Sequence, residues 1–255
     1  MSATTKDIAS QLSDALFKDF DVEKAASLMD PDYIQHNPTV PTGAGPILGF
    51  IPMLKDSKIK ATSHRCLEED GLVVFHTTYE NAQLFGGEVL VAFDIFRVKD
   101  GKVMEHWDNL QPLSGPNTSG HTMTDGPTEV TDLDKTAANK KLVTDFLKAV
   151  LVEGDKTKID ECVAEGEAYI QHNPMVGDGR DFLKGAMDNL GLKYTKTHIV
   201  VAEGNFVFAA SEGKMGSDET QAFFDLFRVE DGKLVEHWDV AAPIPAEFKH
   251  SNGKF

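Results

Sequence analysis

Residues 33–38 read Tyr-Ile-Gln-His-Asn-Pro, and the same six residues return unchanged at 169–174, with an offset of 169 − 33 = 136. A second phrase, Asp-x-Phe-Arg-Val-x-Asp-Gly-Lys-x-x-Glu-His-Trp-Asp, occupies residues 94–108 and returns at 225–239, with an offset of 225 − 94 = 131. Two phrases that recur in the same order indicate a tandem duplication. Because this period is far longer than the roughly 20–50 residues of a repeat-protein unit, each copy is predicted to form its own domain.

The duplication sets the domain organisation of the 255-residue chain. We predict a first domain at 1–113, a linker at 114–134, a second domain at 135–245 and a loosely held tail at 246–255. Ser, Thr, Gly, Pro and Asp dominate the linker, which shows no hydrophobic periodicity. Each domain has about 110 residues, close to the commonest domain size, and is long enough to enclose one core.

The chain carries 25 basic and 41 acidic residues, a net charge of 25 − 41 = −16. We expect neither nucleic acid nor a membrane as a partner, because both require a basic or a long apolar surface. No stretch approaches the roughly 20 apolar residues of a membrane span, and the N-terminal residues show no signal peptide. Cys66 and Cys162, the only two cysteines, do not fall at equivalent places in the two copies. We therefore expect free thiols and a cytoplasmic location.

The first copy changes its hydrophobic period from helical to strand-like after about 58 residues. Ile8, Leu12 and Leu16 recur at helical spacing, and Asp21 is predicted to cap a second, short helix. Two-residue alternation then predicts strands at 59–68, 72–80, 88–98 and 102–108. The second copy repeats this order, with strands predicted near 194–203, 205–211, 220–229 and 233–239. Each copy is thus predicted to be an α+β domain with helices on one face of a curved antiparallel sheet.

The predicted sheet is apolar on both faces, as Val91, Phe93 and Ile95 show for the first copy. One face is covered by the helices of its own domain, and the other face needs a second cover. The other copy is the expected cover. The sequence therefore predicts an intramolecular pseudo-dimer, and it leaves further homodimerisation open.

The closing phrase places a histidine and an aspartate together. Strand alternation puts His106 and Asp108 on one sheet face, and His237 and Asp239 form the same pair in the second copy. A carboxylate in an apolar pocket becomes more basic, which suits it to remove a proton beside a carbonyl group. The alternative is that Asp108 caps a turn or pairs with a lysine at the strand end.

The opening phrase offers two more histidines, His36 and His172. A histidine before a rigid Asn-Pro turn can point into a pocket and bind a substrate oxygen, or it can tie the turn to backbone groups. His76, on the second predicted strand, is a further candidate, and Ala209 replaces it in the second copy. The sequence shows no short metal-ligand spacing, nucleophile elbow or Gly-rich phosphate loop, so we expect no metal and no cofactor.

The helices, the opening phrase and the strands with their closing phrase together resemble the SnoaL-like family. This family belongs to the nuclear-transport-factor-like superfamily of cystatin-like α+β cones, with ketosteroid isomerase and scytalone dehydratase as distant members. Both copies carry the pattern, so the resemblance covers nearly the whole chain outside the linker and the tail. It implies a curved sheet wrapped around helices, with a deep and mostly apolar pocket.

The resemblance also implies roles for particular residues. Characterised polyketide cyclases of this family use an aspartate as acid and base for an intramolecular aldol condensation, without a cofactor. That role passes to Asp108 and Asp239. The histidines that would polarise the substrate are His36, His106, His172 and His237. The substrate-contact candidates are the other residues of the repeated phrases and an arginine that only the second copy keeps: Tyr33, Gln35, Asn37, Trp107, Tyr169, Gln171, Asn173, Trp238 and Arg180.

The leading hypothesis is a cofactor-independent acid/base enzyme that acts on a small apolar carbonyl compound by aldol-type cyclisation or isomerisation. Asp108 would remove an α-proton, and a histidine (His36, His76 or His106) would donate to the developing oxyanion. The first copy is favoured because it keeps more polar groups late in its sheet. Two alternatives are a non-catalytic module that binds a small hydrophobic ligand and an assembly domain with filled cones.

Overall fold

The computed structural model describes residues 3–255, so the first two residues of the N-terminal stretch considered above lie outside the described residues. The chain folds as two compact units. The first half comprises the residues up to Pro112 together with Pro245–Phe255, and the second half comprises Leu113–Ile244. Among the described residues, no helix combines the length and the apolar character that crossing a membrane requires.

The two compact units divide the chain differently from the expected boundaries at 114–134 and 246–255. The expected linker is part of the second half, where the side-chain amide of Asn117 donates to the carbonyl oxygen of Gln171 at 2.5 Å. The tail expected to be loosely held is part of the first half, where the amide of Asn252 donates to the carbonyl oxygen of Gln35 at 2.9 Å. Hydrogen bonds to backbone carbonyl groups hold both segments, and such contacts leave no hydrophobic pattern in the sequence.

The helices of the first half form where the periodicity predicts them. Helix α1 (Thr5–Phe17) begins with a capping box on Thr4, and α2 (Val22–Leu28) is capped by the side chain of Asp21. Helix α3 (Ala44–Ser57) follows the opening phrase. All three contribute buried side chains to one hydrophobic core.

The first-half sheet has five strands: β1 (Met29–Gln35), β2 (Lys60–Glu69), β3 (Leu72–Glu80), β4 (Val89–Lys99) and β5 (Lys102–Pro112). Their order in the sheet is β1-β5-β4-β3-β2. The predicted antiparallel arrangement is confirmed for β2 to β5. The sheet is nevertheless mixed, because the opening phrase forms β1, which pairs in parallel with β5.

The second half repeats this architecture. Its helices are α4 (Thr136–Phe146), which continues as a π-helical turn (Leu147–Val152), α5 (Thr157–Cys162) and α6 (Arg180–Leu190). Its strands are β6 (Ile170–Gln171), β7 (Lys193–Glu203), β8 (Phe206–Lys214), β9 (Gln221–Glu230) and β10 (Lys233–Pro243). The strand order, β6-β10-β9-β8-β7, matches that of the first half. The chain is therefore α+β, with two domains of one fold in tandem; the predicted pseudo-dimer stays a prediction.

Strand register sorts the polar residues onto two faces. In the first half, Asp94 on β4 lies opposite Asp108 on β5, and Phe96 lies opposite His106. Phe96 belongs to the core that the helices cover, so all four side chains lie on this inner face. The residues between them, such as Trp107, point to the outer face. The same register places Asp225, Asp239 and His237 on the inner face of the second half.

Candidate active site

Three buried polar side chains lie together on each inner face. The first-half cluster consists of Asp94, His106 and Asp108, and the second-half cluster consists of Asp225, His237 and Asp239. Within each cluster, one nitrogen or oxygen atom per residue lies within 4.8 Å of the corresponding atoms of the other two. All six residues are buried or nearly so. Buried polar groups need hydrogen-bond partners within the protein, because water does not reach them. The hydrogen bonds of these side chains therefore indicate which atoms carry protons.

The side chain of Gln35 fixes the tautomer of His106. Oε1 of Gln35 accepts from the backbone N–H groups of His36 and Asn37, at 2.9 and 2.8 Å. Nδ1 of His106 lies 3.0 Å from the same oxygen. Because that oxygen is an acceptor, Nδ1 of His106 must carry a hydrogen and donate it. Gln35 is therefore an orienting residue and not only a candidate substrate contact.

This tautomer forces a proton into the contact between His106 and Asp94. Nε2 of His106 lies 3.3 Å from Oδ1 of Asp94, and two unprotonated atoms would repel each other there. Oδ2 of Asp94 accepts from the hydroxyl group of Tyr79 at 3.0 Å. Burial raises the pKa of Asp94, although the hydrogen bond and charge of His106 act in the opposite direction. One shared proton therefore resides in the His106–Asp94 pair.

The second half builds the same network with shorter contacts. Oε1 of Gln171 lies 2.9 Å from Nδ1 of His237, whose Nε2 lies 3.0 Å from Oδ1 of Asp225. The hydroxyl group of Tyr194 donates to the Asp225 carboxylate at 3.0 Å. Burial alone would lower the pKa of His237, but the hydrogen bond to Asp225 and the charges of Asp239 and Asp225 raise it. These acids therefore favour the protonated form of the imidazole.

The two aspartates that end the closing phrases differ in their partners. Oδ2 of Asp108 accepts from Nδ2 of Asn37 at 2.6 Å, and its buried Oδ1 accepts no hydrogen bond from any described residue. Both carboxylate oxygens of Asp239 accept from Nδ2 of Asn173, at 2.9 and 2.7 Å. Burial raises the pKa of Asp239, while His237 and Asn173 oppose the rise. In the first half, one carboxylate oxygen thus has no hydrogen-bond donor among the described residues.

A small cavity adjoins the second-half cluster. Its volume is about 40 Å³, which is room for a few water molecules. Most of its wall is apolar, and seven of the lining residues carry polar groups: Tyr169, Gln171, Asn173, Tyr194, Asp225, His237 and Asp239. Phe146, Phe223 and Phe227 are among the apolar residues of this wall. As folded, this site is smaller than the roughly 300 Å³ at which sites for small organic ligands begin.

The histidines of the opening phrases do not belong to these clusters. His36 stacks on Trp107, with ring centroids 4.8 Å apart, and its Nε2 lies 2.9 Å from Oε1 of Glu105. Glu105 and Trp107 point to the outer face, so the predicted role of His36 beside Asp108 is wrong. Alternation along β1 is the reason, because Gln35 and His36 are consecutive and their side chains leave opposite faces.

The second half gives the same correction for His172 and Trp238. Their rings stack with centroids 4.6 Å apart, and Nε2 of His172 lies 2.9 Å from Oε1 of Glu236. The indole N–H of Trp238 donates to the carbonyl oxygen of Asp125 at 2.9 Å. Neither tryptophan of the closing phrases lines an inner face, so the structure does not bring Trp107 or Trp238 to the clusters.

Two further candidates take structural roles. His76 on β3 pairs with Phe93 on β4, stacks on its ring at 4.4 Å and lies on the outer face, so it cannot serve Asp108. The guanidinium of Arg180 donates to the carbonyl oxygens of Val163 and Ala164, at 2.8 to 3.0 Å, and so holds the end of α5. The structure thus does not bring His76 or Arg180 into the clusters.

The remaining candidates keep their place. Tyr33 and Tyr169 are buried near the aspartates, and burial followed by the charges of those aspartates raises the pKa of both phenols. Sequence reasoning missed Asp94, Asp225 and the two tyrosines that donate to them. The sequence did contain a signal for Asp94 and Asp225, because each is the first residue of a closing phrase and is identical in the two copies.

The two clusters contain atom types that can coordinate a metal ion. Their histidine and carboxylate atoms are close enough to share an ion. In each cluster, however, Nδ1 of the histidine donates to a glutamine and Nε2 shares a proton with an aspartate. A metal would require Nε2 to lose that proton. The hydrogen-bonded network accounts for these residues as they stand, and the expectation of no metal stays a prediction.

Comparison with known proteins gives a match in each half. The model of a family described as the SnoaL-like domain matches residues 10–106 and 143–237. A search of curated proteins gives no significant match.

Similar solved structures each cover less than half of this chain. An NTF2-like protein of unknown function from Cytophaga hutchinsonii is 15% identical, covers 44% of this chain and 94% of its own, and has a TM-score of 0.37. IdmH from Streptomyces antibioticus, described as a candidate polyketide cyclase, is 20% identical. Its match covers 42% of this chain and 92% of its own, with a TM-score of 0.34. A candidate ketosteroid isomerase from Kribbella flavida is 22% identical. Its match covers 49% of this chain and 91% of its own, with a TM-score of 0.38.

Proposed function

The chain belongs to the SnoaL-like domain family in both of its halves, and from that premise we propose that the first half is a cofactor-independent acid/base catalyst for a small apolar carbonyl compound. The reaction is either an aldol-type ring closure or an isomerisation. One observation carries the proposal: a buried carboxylate oxygen of Asp108 without a hydrogen-bond donor lies beside the proton-sharing pair of His106 and Asp94.

The first-half cluster can perform the proton transfer with its own groups. Oδ1 of Asp108 takes an α-proton from the substrate, and the electrons of the broken C–H bond move onto the carbonyl oxygen to give an enolate. The proton that His106 and Asp94 share places positive charge beside this oxyanion, while the two ring nitrogens keep Gln35 and Asp94 as partners. The amide of Asn37 holds the other oxygen of Asp108, which fixes the orientation of the base.

Two outcomes of the enolate balance the protons. In the ring closure, the enolate carbon attacks a second carbonyl carbon of the same molecule, and the new alkoxide takes the proton back from Asp108. In the isomerisation, Asp108 returns the proton to a different carbon atom. Neither route consumes an oxidant, a reductant or a cofactor.

The proposal is tested by exchange of α-protons in D₂O, followed by proton NMR. An apolar ketone with acidic α-protons, such as 2-tetralone, is incubated with the intact chain, with Asp108→Asn and with Asp239→Asn. We expect the wild-type chain to accelerate exchange and Asp108→Asn to lose about 10²–10⁴-fold of that rate. Asp239→Asn is the matched control in the second half and is expected to keep the rate.

Two results would contradict the proposal. Equal rates for the wild-type chain and Asp108→Asn would show that the base is another group. Tight binding of the ketone without any acceleration would favour the alternative of a non-catalytic ligand-binding module.

For the second half, two observations favour a structural role. The cavity beside its cluster is only about 40 Å³, and both oxygens of Asp239 accept from Asn173. This corresponds to the alternative of an assembly domain with a filled cone. The retained rate of Asp239→Asn tests it in the same experiment.

A further inference from the structure

The segment Pro245–Phe255 packs across the first-half site, although it follows the last strand of the second half. The ring of His36 donates from Nδ1 to the carbonyl oxygen of Gly253 at 3.0 Å. Asn252 donates to the carbonyl oxygen of Gln35 at 2.9 Å. The backbone N–H of Lys249 donates to the carbonyl oxygen of Pro38, also at 2.9 Å. The segment is therefore fixed along the opening phrase, on both sides of the residues that orient the cluster.

These contacts carry the side chain of Lys254 to Asp108. Its ammonium group donates to the backbone carbonyl oxygen of Asp108 at 2.6 Å and lies 3.8 Å from the carboxylate oxygen Oδ1. The side chains of Lys254 and Asp108 are 8% and 9% exposed, so water screens this pair very little. Oδ1 is the oxygen that accepts no hydrogen bond from the described residues.

We propose that Lys254 is a positioning residue of the first-half site, which supplies a fixed positive charge facing Oδ1 of Asp108. A cation at this place favours the ionised carboxylate and therefore keeps the base ready to accept a proton. The ammonium group acts through Asp108 and need not touch the substrate. This role rests on the proposed function only for its catalytic consequence, because the pairing of charges can be measured without a substrate.

Several groups face Asp108, and their charges define what Lys254 must balance. They come from five places in the first half: Tyr33 and Asn37 at β1, Tyr79 on β3, Asp94 on β4, His106 on β5 and Lys254 on the packed segment. Asp94 and Asp108 are two acids with one histidine between them. Lys254 brings the second cation, so the number of acidic and basic groups becomes equal.

The second half has no lysine at the equivalent place. The side-chain amide of Asn117 donates to the carbonyl oxygen of Gln171, as that of Asn252 donates to the carbonyl oxygen of Gln35. The offset between the two asparagines, 252 − 117 = 135, lies between the two repeat offsets of 131 and 136. The same offset from Lys254 leads to residue 254 − 135 = 119, which is Ser119. The two packed segments therefore correspond, and only one brings a cation.

The proposal is tested on the full-length chain by titration of the Lys254 side chain, with NMR of lysine labelled at ¹³Cε. Burial lowers the pKa of Lys254, and the charge of Asp108 raises it against that effect. Loss of that charge in Asp108→Asn should therefore lower the midpoint by about one unit or more. Asp239→Asn is the matched control and should leave the midpoint unchanged. A fold check by amide spectra accompanies each variant.

A second experiment measures the catalytic consequence. Lys254→Met should slow α-proton exchange about tenfold, because the fixed charge beside Asp108 is lost, and Lys254→Arg should largely preserve the rate. Equal midpoints of Lys254 in Asp108→Asn and Asp239→Asn would overturn the proposal. If the charges are coupled but no variant changes α-proton exchange, the proposed function fails and the charge pair stands.

Discussion

Nε2 of His237 lies 3.0 Å from Oδ1 of Asp225 on the neighbouring strand, and a glutamine oxygen holds the other ring nitrogen as a donor. The contact can exist only with a proton in it. Histidines usually change charge near pH 6.5, but this one is held between acids. Two backbone N–H groups of the opening phrase donate to the side chain of Gln171 and fix its orientation. The backbone therefore determines that a proton is held, or stored, between His237 and Asp225 on the inner face.

The first prediction concerns this stored proton. We expect the ring of His237 to titrate above 6.5, since the Asp225 hydrogen bond and the charges of Asp239 and Asp225 outweigh the effect of burial. Asp239→Asn removes one of these charges and should lower the midpoint. The measurement is a pH titration of the histidine ring signals by NMR. A midpoint below 6.5 in the wild-type chain would contradict the assignment.

The second prediction concerns how Asp239 links stability to pH. Its pKa is raised in the folded state, so the protonated form is favoured there and the contribution to stability is full below the ordinary value of 3.8. That contribution is lost as the pH rises from this value through the raised one. The side chain of Asp239→Asn does not ionise, so this variant has no such loss. Its free energy of unfolding relative to wild type should therefore increase as the pH rises from 3.8 through the raised pKa of Asp239.

Chemical denaturation at a series of pH values measures this effect. Asp218→Asn is a suitable control, because Asp218 is a fully exposed acid of the same half. A constant difference in unfolding free energy between wild type and Asp239→Asn across the interval would show that Asp239 is not perturbed.

The third prediction tests the two packed segments as a matched pair. Asn252→Ala removes the donor to the carbonyl oxygen of Gln35, and Asn117→Ala removes the donor to that of Gln171. We expect each change to cost about 1–3 kcal/mol, since a buried acceptor loses its partner. Hydrogen exchange should speed up in the first half for Asn252→Ala and in the second half for Asn117→Ala. Exchange that changes in neither half would show that the segments are held loosely.

The fourth prediction compares two glutamates with the same partners and different burial. Glu236 accepts from Arg228 at 2.7 Å and lies 2.9 Å from His172, and its side chain is 1% exposed. Glu105 makes the equivalent contacts with a side chain that is 17% exposed. Breaking a buried ion pair costs about 3–5 kcal/mol, whereas an exposed one is worth at most about 1 kcal/mol. Glu236→Gln should therefore destabilise the chain clearly more than Glu105→Gln, as measured by urea unfolding.

Most of the fold could be predicted because it follows from periodicity. Alternation marked the four long strands of each half, and a spacing of three and four marked α1 and α4. The strand β1 was missed because Pro31 ends the helical pattern and the opening phrase is short and polar. That one omission misplaced His36. Once Tyr33 to Gln35 is seen as a strand, alternation turns Gln35 inward and His36 outward.

The site was predicted in part. His106 and Asp108 were found together because both lie on one strand, where spacing decides the face. The partnership of Asp108 with Asn37 and Lys254 joins residues 71 and 146 positions away, and such distances leave no pattern in a single sequence. The alternative that Asp108 pairs with a lysine named the correct residue type, although the lysine comes from the other end of the chain.

The packing of Pro245–Phe255 on the first half has a consequence for how the protein is made. Translation adds roughly 5–20 residues per second. Lys254 is 254 − 112 = 142 residues beyond Pro112, so it is synthesised roughly 7–30 s after the last strand of the first half. During that interval the first half can fold around Asp108 without its cation. The second half meets no such delay, because its own covering segment, with Asn117, is synthesised before its first helix.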